Sequence, residues 1–543
     1  MKLNFRRKIK TERNKIGVIL LILITPFFCA ESFATNKTQN KDFISIEETQ
    51  KLYKEIFDLE FNYDNSQIEK IEKEDSKIKT PLHLVVEDFR DMLFILLTED
   101  KKNYEKLEDN EEIRIEKLEK FSSKKSNHYK EYKWAKAEIK LHWAIVKLSF
   151  DEKWASVWRV RQAYKLLLEN EKEFPDFVQQ KKSLALLQIV LASVPQNYQW
   201  ALDLIGMEAD LETGIKNLQE STSQTHFFQK ETLLWQALLQ TYLVEDLIEN
   251  GKTSKQIAQS LLKKYPSQRL VLVVSSLVLM KNESHKTALL AWQNYARKYQ
   301  NNKLTFEKSE YFSQEYLVAE LYFYFEKSQK AKFHYLSFLK NTKLNQNRNF
   351  IKDSYYKLFL IEWLENPNEI TQKNSYLNSV FSKGTSKTAV DKNAKKFVES
   401  VKESNHLPNQ KLHQARILTD GGNYQKALEI VNQISNSELQ KWENGKKFET
   451  ILEYKYRKAR IIDKLSKLNQ AISFYKDVIE YSTLHKQNEI HYFAANSALH
   501  LGFIYQKIDK KLAKIYFEKA ISFEGHQYEE SITQKAKLAL KKL

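Results

Sequence analysis

The stretch 407–434, which opens "LPNQKLHQARILTDGGNYQKALEIV", constrains the fold more than any other part of the chain. It reads as an apolar-periodic run, a Gly421-Gly422-Asn423 break, and a second apolar-periodic run. Ala415, Leu418, Ala427, Val431 and Ile434 fall where two antiparallel helices must touch, with small residues where the backbones come closest. A lone helical hairpin of this size cannot bury its apolar face and needs copies beside it.

The chain supplies them. A small residue followed by apolar or aromatic residues 3, 12, 16 and 19 places on recurs as Ser276, Leu279, Ala288, Trp292 and Tyr295, and as Ala319, Tyr322, Ala331, Tyr335 and Phe338. It recurs again as Ala459, Ile462, Ala471, Tyr475 and Val478. Gly502, Tyr505, Ala513, Phe517 and Ala520 repeat it with one residue deleted in the turn, and a degenerate copy sits at Phe359, Glu362 and Thr371. Composition agrees with long helices joined by short turns. Gly (10) and Pro (7) make up about 3 % of the 543 residues, where ordinary usage is about 12 %. Strand-rich folds need far more turn residues. The expectation is an all-α chain, an array of helical hairpins rather than one compact core.

At this point the sequence resembles the tetratricopeptide repeat family. The family pattern of Leu-Gly, Tyr, Ala, Phe and Ala is nearly complete in Leu501-Gly502, Tyr505, Ala513, Phe517 and Ala520, and its Gly-x-Tyr turn recurs as Gly422-Asn423-Tyr424. The resemblance is strong over 405–543, fair over 230–370 and faint before that. The phrases "KEFPDFVQQKKSLALLQIVLASVPQNYQWALDLIGM" and "KDSYYKLFLIEWLEN" also look like long exported bacterial members of the family. The resemblance implies a tetratricopeptide-like α-solenoid. One departure matters: the small residues recur at 43 (276 to 319), 44 (415 to 459) and 43 (459 to 502), not at the family's 34. About ten extra residues per unit must lengthen helices or links. HEAT-like arrays have that period and are the structural alternative.

The first 34 residues read as an address. Lys2, Arg6, Arg7, Lys8, Lys10, Arg13 and Lys15 precede an apolar run over 16–30, and Ser32-Phe33-Ala34 is an acceptable small-x-small cleavage site. The run is shorter than the ~20 residues of a spanning helix, and the alternative to cleavage is an uncleaved anchor. An exported protein of the periplasm or cell envelope is expected. Cys29 is the only cysteine, so a cleaved chain would have no disulfide, thiol nucleophile or thiolate metal site. Cleavage would also lower the formal charge from +17 to about +12. Lysines spread among matching glutamates read as solvated helix faces rather than a nucleic-acid surface, with weak contact to acidic envelope polymers or a lipid surface as a by-product.

Along the chain, a signal peptide (1–34) is expected to precede an N-terminal helical-repeat domain (35–373). The charge-dense stretch 101–126 reads as a loop leading into an exposed helix. A linker or irregular excursion is expected over 374–404, where Ser, Thr, Lys and Asn replace apolar periodicity. A C-terminal repeat domain spans 405–543. Catalytic signatures are missing: there is no Walker loop, Gly-x-Gly-x-x-Gly, His-Glu-x-x-His or Gly-x-Ser-x-Gly. His485, His491 and His500 do not stack on one helical face and read as surface histidines. The pairs Glu111-Glu112 and Glu529-Glu530 read as charged surface. No enzyme, cofactor or metal is expected.

What remains is a surface. In such arrays the first helix of each hairpin lines the concave side, and the offsets −6, +1, +4 and +5 from the small residue face it. These give Asn409, Arg416, Thr419 and Asp420, then Glu453, Arg460, Asp463 and Lys464, then Asn496, Phe503, Gln506 and Lys507, with Tyr456 pointing the same way. A polar, mixed-charge lining with aromatic anchors suits an extended peptide or another protein's helix. It departs from the clamp of chaperone-tail-binding relatives, which would want Lys and Asn where Leu412 and Arg416 stand. A protein-binding scaffold is therefore expected, with an exported glycan-binding protein and a cell-wall-polymer enzyme as the alternatives.

Overall fold

The computed structural model describes residues 43–61, 77–194, 206–208, 210–243, 251–301, 313–342, 348–365, 370–485, 491–526, 528–541 and 543. The expected signal segment lies outside them. Every regular element among the described residues is a helix, apart from one isolated bridge between Phe43 and Ile78. The chain divides into two units. One comprises residues to 322, 328–359 and 374–396; the other comprises 323–327, 360–373 and 397–543.

The first unit begins with α1 (Ile46–Phe57), α2 (Pro81–Thr98), α3 (Lys101–Leu107) and α4 (Asn110–Leu118). It continues with α5 (Tyr129–Ser149), α6 (Lys153–Glu173), α7 (Val178–Ala192), α8 (Leu211–Ser223) and α9 (Gln229–Tyr242). Next come α10 (Ser254–Lys264), α11 (Arg269–Lys281), α12 (His285–Tyr299), α13 (Ser313–Tyr324) and α14 (Ser328–Asn341). Helix starts follow the capping chemistry: Ser45 and Thr253 each form a reciprocal box with the residue three places on, and Thr80 caps α2 with Pro81 in the first turn. The stretch 101–126 is not a loop leading into a helix: residues 101–107 and 110–121 are already helical. Tyr104, Leu107, Leu118 and Phe121 bury themselves at helical spacing, with Glu111 and Arg114 buried among them, while most of the other charged side chains stay exposed.

Nor is 374–404 irregular. After α15 (Ile351–Glu365) it carries most of α16 (Ile370–Ser382) and all of α17 (Ala389–Ser404). Tyr376 and Val380, then Ala394 and Val398, are buried pairs four apart, and Thr388 Oγ1 accepts from the Asp391 N–H to start the second helix. Gly384, with φ +71°, makes the turn between them. The apolar stripe is only two residues deep per helix, which hid it among polar neighbours.

The second unit is ordered as α18 (Gln410–Asp420), α19 (Tyr424–Asn432), α20 (Asn436–Asn444), α21 (Phe448–Lys464), α22 (Leu468–Leu484), α23 (His491–Gln506), α24 (Lys510–Ser522) and α25 (Glu529–Lys541). Helix pairs α18/α19, α21/α22 and α23/α24 pack as hairpins, and the first helices also touch in succession, α18 to α21 to α23 to α25. Ala415, Ala427, Ala459, Ala471, Ala513 and Ala520 sit in these seams with no exposure. A Cβ on Gly502 would collide with the Phe517 ring. The extra residues beyond a minimal hairpin take two forms. Between Ala415 and Ala459 they build α20, which Ser435 caps and whose Trp442 packs with Leu412, Ile434 and Ile451. In the following hairpin they lengthen α21 and α22 to 17 residues each.

The hairpin turns are alike across both units. Seven residues after the small residue the backbone turns left-handed: Glu283 (φ 52°), Glu326 (φ 56°), Gly422 (φ 82°) and Ser466 (φ 58°). In three of these turns the next N–H reaches back five residues, Ser284 to Leu279, Asn423 to Leu418 and Lys467 to Ile462. That bond closes the helix end as a Schellman cap. The fifth turn, one residue shorter, has Asp509 extended (φ −151°) as the cap of α24 instead.

Candidate functional site

The first-helix face of the second unit is assembled from α18, α21, α23 and the start of α25. On α18, Arg416 and Asp420 are exposed neighbours, with Nε 3.6 Å from Oδ2. On α21, Glu453 accepts from Arg457 Nε at 3.1 Å and Nη2 at 2.9 Å, and the Arg457 guanidinium lies over the rings of Tyr456 and Phe493. One turn further, Arg460 Nη1 is 3.3 Å from His500 Nε2 on α23. Asp463 accepts the Tyr475 hydroxyl at 2.9 Å, and the His500 ring stacks on Tyr475 at 5.5 Å, tilted by 11°. Burial and the charges of Arg460, Lys464 and Lys535 hold His500 well below the usual imidazole range. It is a neutral ring whose Nε2 accepts from arginine.

On α23, Asn496 Nδ2 donates to the hydroxyls of Tyr456 (2.8 Å) and Tyr492 (3.2 Å). The Tyr492 ring lies 5.5 Å from Tyr528, which is 49 % exposed beside the start of α25. Burial raises the Tyr528 phenol, and the positive charge of Arg416 opposes it.

Four of the expected lining residues do not line this face. Tyr456 is buried, 3 % exposed, in a core with Ala459, Tyr475 and Leu499, because its ring packs on Phe493 and only its hydroxyl reaches the polar layer. Phe503 turns toward its own hairpin partner and meets Phe517 edge-on at 5.2 Å. Asn409 caps α18, its side chain accepting from the Leu412 N–H at 3.0 Å. Thr419 is also buried and bonds back to the Ala415 carbonyl. Lys507 is exposed just past α23. Arg416, Asp420, Glu453, Arg460, Asp463 and Asn496 remain on or just beneath the surface.

Tyr492, Tyr528, Arg457 and His500 complete the face and were not among the expected residues. A signal for two of them lay in the spacing. In the three hairpins of 405–543 the position two before the small residue holds His413, Arg457 and His500 in turn, a polar ring or guanidinium each time. His500 is therefore part of a charged network rather than a surface histidine. His485 stacks on Tyr481 at 4.3 Å, apart from it. Among the described residues no group of His, Cys, Asp and Glu is placed to hold a metal ion.

A second concentration of ionisable groups lies inside the first unit. Asp88 accepts from Arg114 Nη1 (2.9 Å) and Trp143 Nε1 (2.9 Å), and its other oxygen lies 2.8 Å from His142 Nδ1. Arg114 also reaches Asp91, tying α2, α4 and α5 together. Lys182 on α7 donates to Glu138 (2.9 Å) and Glu231 (3.0 Å). Burial disfavours its ammonium, yet the two carboxylates outweigh that and raise its pKa. Burial, with the charge of Glu138 adding to it, pushes Glu231 up to about 8. Glu111, expected at the surface, is buried and clamps Arg159 through Nε (3.0 and 2.8 Å) and Nη2 (2.7 Å). These groups answer one another in an enclosed interior, which suits them to holding helices in register rather than to turning over a substrate. Acidic residues at 87, 88 and 91 inside a mainly apolar run were the sequence sign of them.

Compared with models of known protein families and with curated proteins, the chain matches none.

Proposed function

We propose that the chain is a non-enzymatic binding scaffold of the cell envelope, exported through residues 1–34, and that it is a tetratricopeptide-like array of hairpins repeating about every 43 residues. The first-helix face of 405–543 holds an extended peptide or a helix of another protein. The observation that supports this reading is the side-by-side contact of α18, α21, α23 and α25, the helices that carry or border Arg416, Asp420, Arg460, His500, Tyr492 and Tyr528, with Arg460 meeting His500 and Tyr492 meeting Tyr528. Alternating charge sets register along a bound chain, and the tyrosines with Arg416 are the residue types in which interface energy concentrates. The recurring left-handed turn supports the repeat reading, because it joins the helices of successive hairpins in the same way.

Crosslinking in intact cells, followed by identification of the captured protein, tests the proposal. Arg416→Ala with Tyr528→Ala should abolish recovery of the main crosslinked partner while the melting temperature stays nearly unchanged. Undiminished recovery by a folded double variant would move the site elsewhere. Turnover of a cell-wall polymer by the purified protein would overturn the scaffold reading.

A further inference from the structure

Between the second helices of the last two hairpins, α22 and α24, lies an open cavity of about 330 Å³. Ile479, Leu484 and the Tyr516 ring give it apolar walls. Thr483 adds no uncommitted hydroxyl, because its Oγ1 donates to the Ile479 carbonyl at 2.8 Å. Two large apolar side chains stand in water at its edges. Leu484 is 72 % exposed at the end of α22, and Ile515, one turn before Lys519 on α24, is 54 % exposed.

The charged groups in the lining are Lys476, Glu480 and Lys519, and none of the three is in an ion pair. Lys476 and Glu480 are one turn apart on α22, a spacing at which opposite charges can meet. Lys476 turns instead toward Tyr505 and Tyr516, whose rings stack at 5.3 Å with an interplanar angle of 4°, and its Nζ lies 5.8 Å from the Tyr505 ring centre. The neighbouring charges are answered within the chain, Asp477 by Lys455 at 2.7 Å and Glu518 by Lys514 at 3.9 Å. A groove with apolar walls thus keeps both signs of charge without an ionic partner.

We infer that this groove is where two copies of the chain pair about a twofold axis. A twofold contact sets one surface against itself, so Glu480 of one copy meets Lys476 or Lys519 of the other, and the same exchange repeats across the axis. The apolar walls, with Leu484 and Ile515, then form the centre of the contact and the charges its rim, as in ordinary protein interfaces. Anionic phospholipid would set Glu480 against like charge, and a small anion would leave both Glu480 and the apolar walls unanswered. Both signs in one groove fit a partner that presents both in the same arrangement. The contact does not use Arg416 or Tyr528, so it can fail while the peptide face proposed above stands, and the reverse.

The test is sedimentation of the purified full chain over a concentration series, in which a monomer–dimer equilibrium is expected. Leu484→Ser/Ile515→Ser should weaken it at least about tenfold. Two charge variants give a sharper result. Glu480→Lys makes the groove all positive and Lys476→Glu/Lys519→Glu makes it all negative, so each alone should lose the dimer. Mixed in equal amounts they should pair with each other, because each supplies the sign that the other lacks. Circular dichroism melts of every variant at monomeric concentration should match the parent, since the changed side chains are exposed. A parent that stays monomeric throughout the series would overturn the inference. So would dimers that survive the leucine–isoleucine change, or charge variants that remain monomeric after mixing.

Discussion

Tyr456 shows how one side chain can belong to the core and the candidate site together. Its ring is enclosed by Phe493 and the α22 and α23 packing residues, while its hydroxyl accepts from Asn496 at 2.8 Å. Tyr456→Phe should therefore cost about 1 kcal/mol, the net worth of one hydrogen bond. Tyr456→Ala should cost about 3–5 kcal/mol, as for other buried aromatics. Urea unfolding of the two variants checks this, and near-equal losses would mean that the ring is not packed as described. His226 gives a pH prediction. Its Nε2 lies 2.8 Å from the Ser221 carbonyl and so carries the proton, while Nδ1 accepts from the Phe228 N–H at 3.3 Å. A second proton would set two donors against each other. Burial, against the raising effect of the Ser221 bond, lowers the ring to about 4, below the 6.5 of an unfolded chain. The unfolded state thus takes up the proton first, so this contribution is intact above pH 6.5 and is lost as pH falls toward 4. About 2 kcal/mol should disappear between pH 7 and pH 5, and His226→Gln should flatten that part of the pH–stability curve.

The hairpins stand or fall on small residues in the seams and on the turn that joins each pair. Ala427 and Ala471 have no exposure, so Ala427→Leu or Ala471→Leu should overpack and cost about 1–3 kcal/mol. Arg416→Ala, at an exposed position, should cost under about 0.5 kcal/mol. Thermal melts that ranked these the other way round would displace the seam. The turn supplies an opposite prediction. Ser466 is exposed and holds φ at 58°, where Gly422 sits in the preceding hairpin, so Ser466→Gly should relieve left-handed strain and stabilise by about 1 kcal/mol. A lower melting temperature would show that the serine side chain contributes something the backbone does not.

The C-terminal unit reaches back beyond residue 405. Gln410 Nε2 donates to the Trp363 carbonyl at 3.0 Å, and the Trp363 ring meets His413 edge-on at 5.5 Å, so the end of α15 packs against α18. A fragment 405–543 should be less stable than a fragment 351–543 by about 1–3 kcal/mol, the worth of one buried aromatic anchor and its neighbours. Equal melting temperatures would make 405 the true boundary. Much of the molecule was legible beforehand. All-α character followed from the scarcity of Gly and Pro, and the seam residues followed from spacings of 3, 12, 16 and 19, because both depend on local geometry that every hairpin repeats. The helices of 374–404 and 101–121 were only partly so, since two-residue apolar stripes among exposed polar and charged side chains look like solvated loop until their neighbours are in place. Offsets from a seam give the side of a helix, and Arg416, Asp420, Arg460 and Asp463 lie on or just beneath the surface there. Tyr456 and Phe503 went elsewhere because a long ring bends toward whichever neighbour can bury it. Periodicity, which is a property of one helix, belongs to the sequence by itself. Whether a polar ring is core or surface, and which aspartate a buried arginine meets, depends on side chains tens of residues away, and only tertiary packing brings those into reach.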